Sequence, residues 1–199
     1  LKKLLIFLSL LTFIVIFLLL FNFKSEPTQS TQKNNTKDLT ETTLVQAYKI
    51  GMNESLNYDP KAVLLHMNSI DDGRESGANG EKSTWQLLIS LPSKNQRVGI
   101  TVKNKRITQK EILRGNSTEY SNIKKEDIKI DSKTVVKKAI KDFSLEPGNK
   151  NNYLFKGFQF KLIKEKGILF LTVVGDKGDQ RMEIHYDGKT GSYLGRTEG

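Results

Sequence analysis

The stretch "GILFLTVVGDKGDQRMEIHYDGKTGSYLG", residues 167–195, decides how this chain is read. Residues 167–175 form a nearly unbroken apolar run rich in β-branched and aromatic side chains, the composition of a strand. In 180–187, Met182, Ile184 and Tyr186 alternate with Arg181, Glu183 and His185, the period of a strand with one buried face. Gly188-Lys189-Thr190 then poses a choice, because the same triplet ends a nucleotide-binding loop. That loop requires Gly-x-x-x-x-Gly-Lys-Thr between a strand and a helix, so that backbone amides and the helix N-terminus attract phosphate. Five positions before Gly188 stands Glu183, and the residues between are bulky and strand-like. The triplet therefore reads as a corner: Asp187 can accept hydrogen bonds from amides two residues on, and Gly188 and Gly191 tolerate positive φ. Asp187, Thr190 and Gly191 are its structural turn, leading to a last short strand at Tyr193 and Leu194.

Upstream lies another strand, "YLFKGFQFKLI" (153–163), and before it Pro147 and Gly148 stop a helix. Val135, Val136, Ala139, Ile140 and Phe143 share one face of that helix, which Asp131 or Ser132 can cap. The same order occurs earlier. Leu44, Ala47 and Tyr48 fall at helical spacing after Thr40 and Thr42 as possible caps, and the helix ends near Leu56. Strands follow at 62–70, 83–91 and 97–107. The polar stretch 108–130 reads as a connector with a short helix around Lys110–Leu113. The fold expected is α+β: two repeated units, 39–107 and 131–199, each with one helix packed on a three- to four-stranded antiparallel sheet. A single continuous sheet carrying both helices is the alternative.

The helix, the strands of 167–187 and the Asp-x-x-Thr-Gly hairpin at Asp187, Thr190 and Gly191 together resemble a PepSY-type domain over about residues 131–196. Residues 40–107 resemble a more distant copy, whose turn at Ser93-Lys94-Asn95 lacks the signature. The resemblance implies a non-catalytic binding or regulatory module at the bacterial cell surface, with inhibition of an enzyme as a theme of the family. Tandem units of this kind also resemble the fold of a β-lactamase-inhibitor protein, whose sheet offers a binding face.

Leu4 to Phe21 is apolar except for Ser9 and Thr12, and Lys2 and Lys3 precede it. At 1.5 Å per residue such a run covers about 27 Å, near the thickness of a bilayer core. With no Ala-x-Ala-like cleavage site in "FNFKSEP" and no cysteine for a lipobox, 1–23 reads as an uncleaved anchor. Lys2 and Lys3 favour a cytoplasmic N-terminus, leaving an extracellular C-terminal part. Residues 24–38 read as a disordered linker. The net charge of +10 suits anionic wall polymer or lipid, and outside a membrane disfavours nucleic acid as a partner.

The chemistry-bearing residue types are sparse. His66 and His185 are the only histidines, and no cysteine can complete a metal set with them. Asp71, Asp72, Glu75, Asn79 and Glu81 share one loop but lack the spacing of a calcium loop. No Gly-x-Ser-x-Gly run marks a nucleophile. No catalytic residue, metal or cofactor is expected. Trp85 reads first as core packing, second as an exposed anchor for a partner. Trp85, Gln86, His185 and Tyr186 are the expected partner-binding residues, and Lys103, Lys105, Arg106 and Lys110 form a basic patch. The expected partner is an envelope protein or peptide; the alternative is a structural envelope protein held by charge.

Overall fold

The computed structural model describes residues 40–73, 76–115, 120–148 and 155–199. A two-residue strand β1 (Thr42–Thr43) leads into helix α1 (Leu44–Leu56), followed by β2 (Val63–Ser69), β3 (Glu81–Lys82), β4 (Thr84–Leu91), β5 (Gln96–Lys103) and β6 (Arg106–Arg114). Helix α2 (Ser132–Phe143) precedes β7 (Gln159–Glu165), β8 (Ile168–Lys177), β9 (Gln180–Asp187) and β10 (Tyr193–Glu198). β1 pairs with β3, and the other eight strands form one antiparallel sheet in the order β10-β9-β8-β7-β2-β4-β5-β6.

This corrects the expectation of two repeated helix-on-sheet units. β2 and β7 pair through His66–Ile163, Met67–Leu162 and Asn68–Lys161, so the sheet is continuous across the middle of the chain. The physical reason is edge pairing: two separate sheets would leave β2 and β7 as exposed rows of unpaired amides and carbonyls. One apolar core runs along the whole sheet, from Val98, Ile100 and Leu87 through Met67 and Leu162 to Leu171, Ile184 and Tyr186. The architecture is mostly sheet, with two helices.

Residues 106–114 also differ from expectation. The connector with its short helix gives way to a nine-residue strand, because Asn104 and Lys105 adopt positive φ (51° and 64°) and turn β5 back into β6. Paired positive-φ residues fit the two-residue hairpin that follows strand twist. The final strand likewise extends to Glu198.

The anchor expected at 1–23 and the linker at 24–38 lie outside the described residues. Among those residues no helix is long and apolar enough to cross a membrane. The longest, α1, has 13 residues, about 20 Å at 1.5 Å each, against a core of about 30 Å. The described residues thus give the expected single-pass membrane protein no spanning helix.

The two helix N-termini meet at one carboxylate. Thr43 and Gln46 form a reciprocal capping box on α1. Asp131 Oδ1 accepts from the amides of Ser132 (2.8 Å) and Val45 (3.1 Å), while Ser132 Oγ accepts from Leu44 N and donates to Gly80 O. A single negative charge thus serves the positive ends of two helix dipoles and fixes both helices on the same face of the sheet.

Candidate functional site: the helix-free face of the sheet

Strand pairing builds a continuous row of side chains across the face that carries no helix. Gln109 pairs with Thr101, Thr101 with Gln86, Gln86 with Asn68, Asn68 with Lys161, Lys161 with Thr172, and Thr172 with His185. Neighbouring strands lie about 4.8 Å apart, so these seven positions place amide, hydroxyl, ammonium and imidazole groups over roughly 29 Å. Six are half-buried. Thr172 is buried, its hydroxyl engaged by the His185 ring beside it.

A second row runs beside the first: Gly99, Leu88, His66, Ile163 and Phe170 pair in succession. These are all half-buried. The Tyr120 ring stacks on His66 at 5.8 Å, and Phe170 meets His185 edge-on at 6.3 Å. The helix-free face therefore presents a polar row beside an apolar and aromatic one.

At one point on this face two cations share a single carboxylate. Glu183 Oε1 accepts from Lys161 Nζ (2.8 Å) and from the Arg181 guanidinium (2.9 Å). Burial alone would raise the Glu183 pKa, but Lys161 and Arg181 outweigh it and hold the carboxyl below its ordinary value. Burial lowers the pKa of both histidines, that of His66 to about 4 with Lys161 adding repulsion. His185 Nδ1 lies 2.9 Å from Thr172 Oγ1 and its Nε2 lies 3.0 Å from Thr197 Oγ1. Both ring nitrogens thus engage hydroxyls, and no carboxylate orients the imidazole as a hydroxyl–imidazole–acid relay would need.

The structure separates the four expected contact residues. Gln86 and His185 stand in the polar row. Trp85 and Tyr186 lie on the opposite face, 0% and 1% exposed, and present no surface to a partner. Trp85 stacks on Phe160 at 5.9 Å and donates Nε1–H to Thr42 O at 3.1 Å, which leaves its one polar atom satisfied in the core. The turn is built on Asp187: its Oδ1 accepts from the amides of Lys189 (2.7 Å) and Thr190 (2.9 Å), and Gly191 sits at φ 73°. Gly188 O accepts from the amides of Lys129 and Ile130, tying the corner to the segment before α2.

Of the basic patch, Lys103, Lys105 and Arg106 stand exposed at the β5–β6 hairpin tip. Lys110 belongs to the helix side, bonded to Glu54 at 2.8 Å and lying over the Tyr58 ring. The acidic loop serves a buried ammonium: Lys82 Nζ, on a side chain that is 0% exposed, donates to Ser76 Oγ at 2.7 Å and lies 3.7 Å from Asp72. Glu81 pairs with Lys133. Among the described residues no group of three or more His, Cys, Asp or Glu is placed to hold a metal.

Sequence reasoning missed Thr101, Asn68, Lys161 and Thr172. Their alternation with Val102, Met67, Leu162 and Leu171 was visible, but which strands lie side by side is not a local property.

No family model and no curated protein matches the chain in sequence. Among solved structures, it is similar to that of a candidate lipoprotein from Clostridium difficile 630, with a TM-score of 0.55 over 76% of this chain and 92% of that one. Identity is 14%, so the likeness is one of fold.

Proposed function

We propose that this chain is a non-catalytic binding module that takes a protein or peptide partner on the helix-free face of its sheet. One observation carries the reading: a seven-position polar row lies directly beside an apolar and aromatic row on the face that carries no helix. Aromatic and aliphatic side chains bounded by hydrogen-bonding groups are the make-up of protein interfaces. Leu88, Ile163, Phe170 and the His66–Tyr120 stack supply apolar contact, and the row from Thr101 to His185 fixes orientation. The Asp187–Gly191 hairpin after a helix and antiparallel strands supports the finer reading of a PepSY-like regulatory module, with inhibition of the partner as its mode of action. The shared fold with a candidate lipoprotein lends that reading a cell-surface setting.

The test is photo-crosslinking in the native host, with the probe at Gln86, Thr101 or His185 and a control at Lys137 on α2. A discrete product from the three sheet positions, absent from the control, is the expected outcome. A product equal at all four positions, removed by high salt, sinks the reading and leaves a protein retained by charge alone.

A further inference from the structure

The helix-bearing side holds a second candidate site that the sheet face does not involve. Val45, Tyr48 and Lys49 of α1 face Lys125, Ile128 and Lys129 across a groove of about 370 Å³, with Glu126 also on its border. Its floor is apolar: Tyr48 is buried, and Val45 and Ile128 are half-buried. Its rim is basic: Lys49, Lys125 and Lys129 are all exposed. Among the described residues these three ammoniums join no ion pair, whereas Lys110, Lys133, Lys161 and Lys164 each hold a carboxylate. Asp127, next to Glu126, is the carboxylate that Lys164 holds. Three cations against the single Glu126 carboxylate leave an excess of positive charge around an apolar floor.

The α1 amides cannot serve an incoming anion, because Leu44 N and Val45 N are already bonded to Ser132 and Asp131. Recognition must come from the lysines. From Val45 to Lys49 is one helical turn, about 6 Å at 1.5 Å per residue. The groove therefore suits one apolar side chain with charge on either side of it. We infer that it docks an acidic peptide segment, whose single apolar side chain seats on Val45, Tyr48 and Ile128 while its carboxylates meet Lys49, Lys125 and Lys129.

The measurement is fluorescence anisotropy of a labelled Glu-Glu-Leu-Glu-Glu peptide titrated with the full chain. Replacing Lys49, Lys125 and Lys129 together by Gln is expected to weaken binding about tenfold, the sum of three exposed charge contacts. Replacing Lys103, Lys105 and Arg106 by Gln changes net charge equally and leaves affinity within about twofold. The same loss in both triple variants overturns the assignment in favour of net charge. Equal binding of Glu-Glu-Gly-Glu-Glu overturns the role of the apolar floor. Displacement of the peptide by phosphatidylglycerol vesicles, but not by phosphatidylcholine vesicles, assigns the lysines to a lipid surface and overturns it too. Because these variants leave the sheet face intact, the crosslinking result at Gln86 and His185 stands or falls independently.

Discussion

Leu87 and Leu88 are adjacent leucines on β4, and they lead different lives. Leu87 is 2% exposed, lies under α1 against the backbone of Gly51, and pairs with Ile100 and Met67. Leu88 is half-buried on the opposite face, paired with Gly99 and His66. The same contrast holds for each face as a whole. On the helix side the row Ile100, Leu87, Met67, Leu162, Leu171 and Tyr186 is closed by two helices. On the other side, one residue along each strand, the row is polar and largely open. Successive residues of a strand point to opposite faces, so a one-residue change of register would exchange the two rows. The helix side carries stability. The open side is the one proposed to carry recognition.

The contrast breaks most visibly on truncating the paired leucines. Leu87→Ala is expected to cost about 2–5 kcal/mol, the range for opening a cavity in a closed core. Leu88→Ala should cost less than about 1 kcal/mol, since solvent already reaches it. Urea denaturation of both variants measures this, and similar losses would show that the open face is as tightly packed as the core.

Acid sharpens the contrast next. The unfolded His66 ring takes a proton near pH 6.5, while the folded ring resists it down to about 4. Between those values the unfolded state binds more protons, so stability falls as pH drops from about 6.5 to about 4 and levels off below. Discounted for partial exposure, the loss is about 2 kcal/mol. His66→Gln should flatten that part of the pH profile. A profile unchanged by the substitution would place the ring in ordinary solvent.

The smallest effects come from two glycines. A Cβ on Gly51 would lie 2.6 Å from Leu87 Cδ2, so Gly51→Val is expected to destabilise by about 1–2 kcal/mol through overpacking. On Gly99 the nearest atom, Glu111 O, would be 3.9 Å away. Gly99→Ala is therefore expected to raise stability by a few tenths of a kcal/mol, through a less flexible unfolded chain. Thermal melts that shift the two variants in the same direction would contradict the assignment of closed and open faces.

Much of the local structure was legible in the sequence. The helix start at Asp131, the alternation of Met182, Ile184 and Tyr186, and the use of Asp187 to turn a corner all follow from nearest-neighbour chemistry, whereas the first helix is capped by Thr43 rather than by Thr40 or Thr42. Trp85 shows the limit: an indole on a strand serves equally as core or anchor until something is known to lie over it, and here the core around Phe160 encloses it. Lys110 shows another limit. Its polar neighbours spoke for a connector, yet β5 offered a free edge, and pairing outweighed weak local preference. Part of the candidate site was legible, since alternation alone puts Gln86 and His185 on the face without helices. Asn68, Lys161 and Thr172 could not be joined to them, because Gln86 and Lys161 lie far apart along the chain and only the β2–β7 seam brings their strands within reach.

By itself, the sequence determined composition, the Asp131 cap, strand periodicity and the Asp187 corner, because these depend on residues a few positions apart. Only the tertiary structure decided that one sheet forms rather than two, that both helices take the same side, and that a polar row crosses from Gln109 to His185. Those outcomes rest on the pairing of distant strands. Two open edges gain hydrogen bonds by meeting, and a single core removes more apolar surface from water than two small ones would.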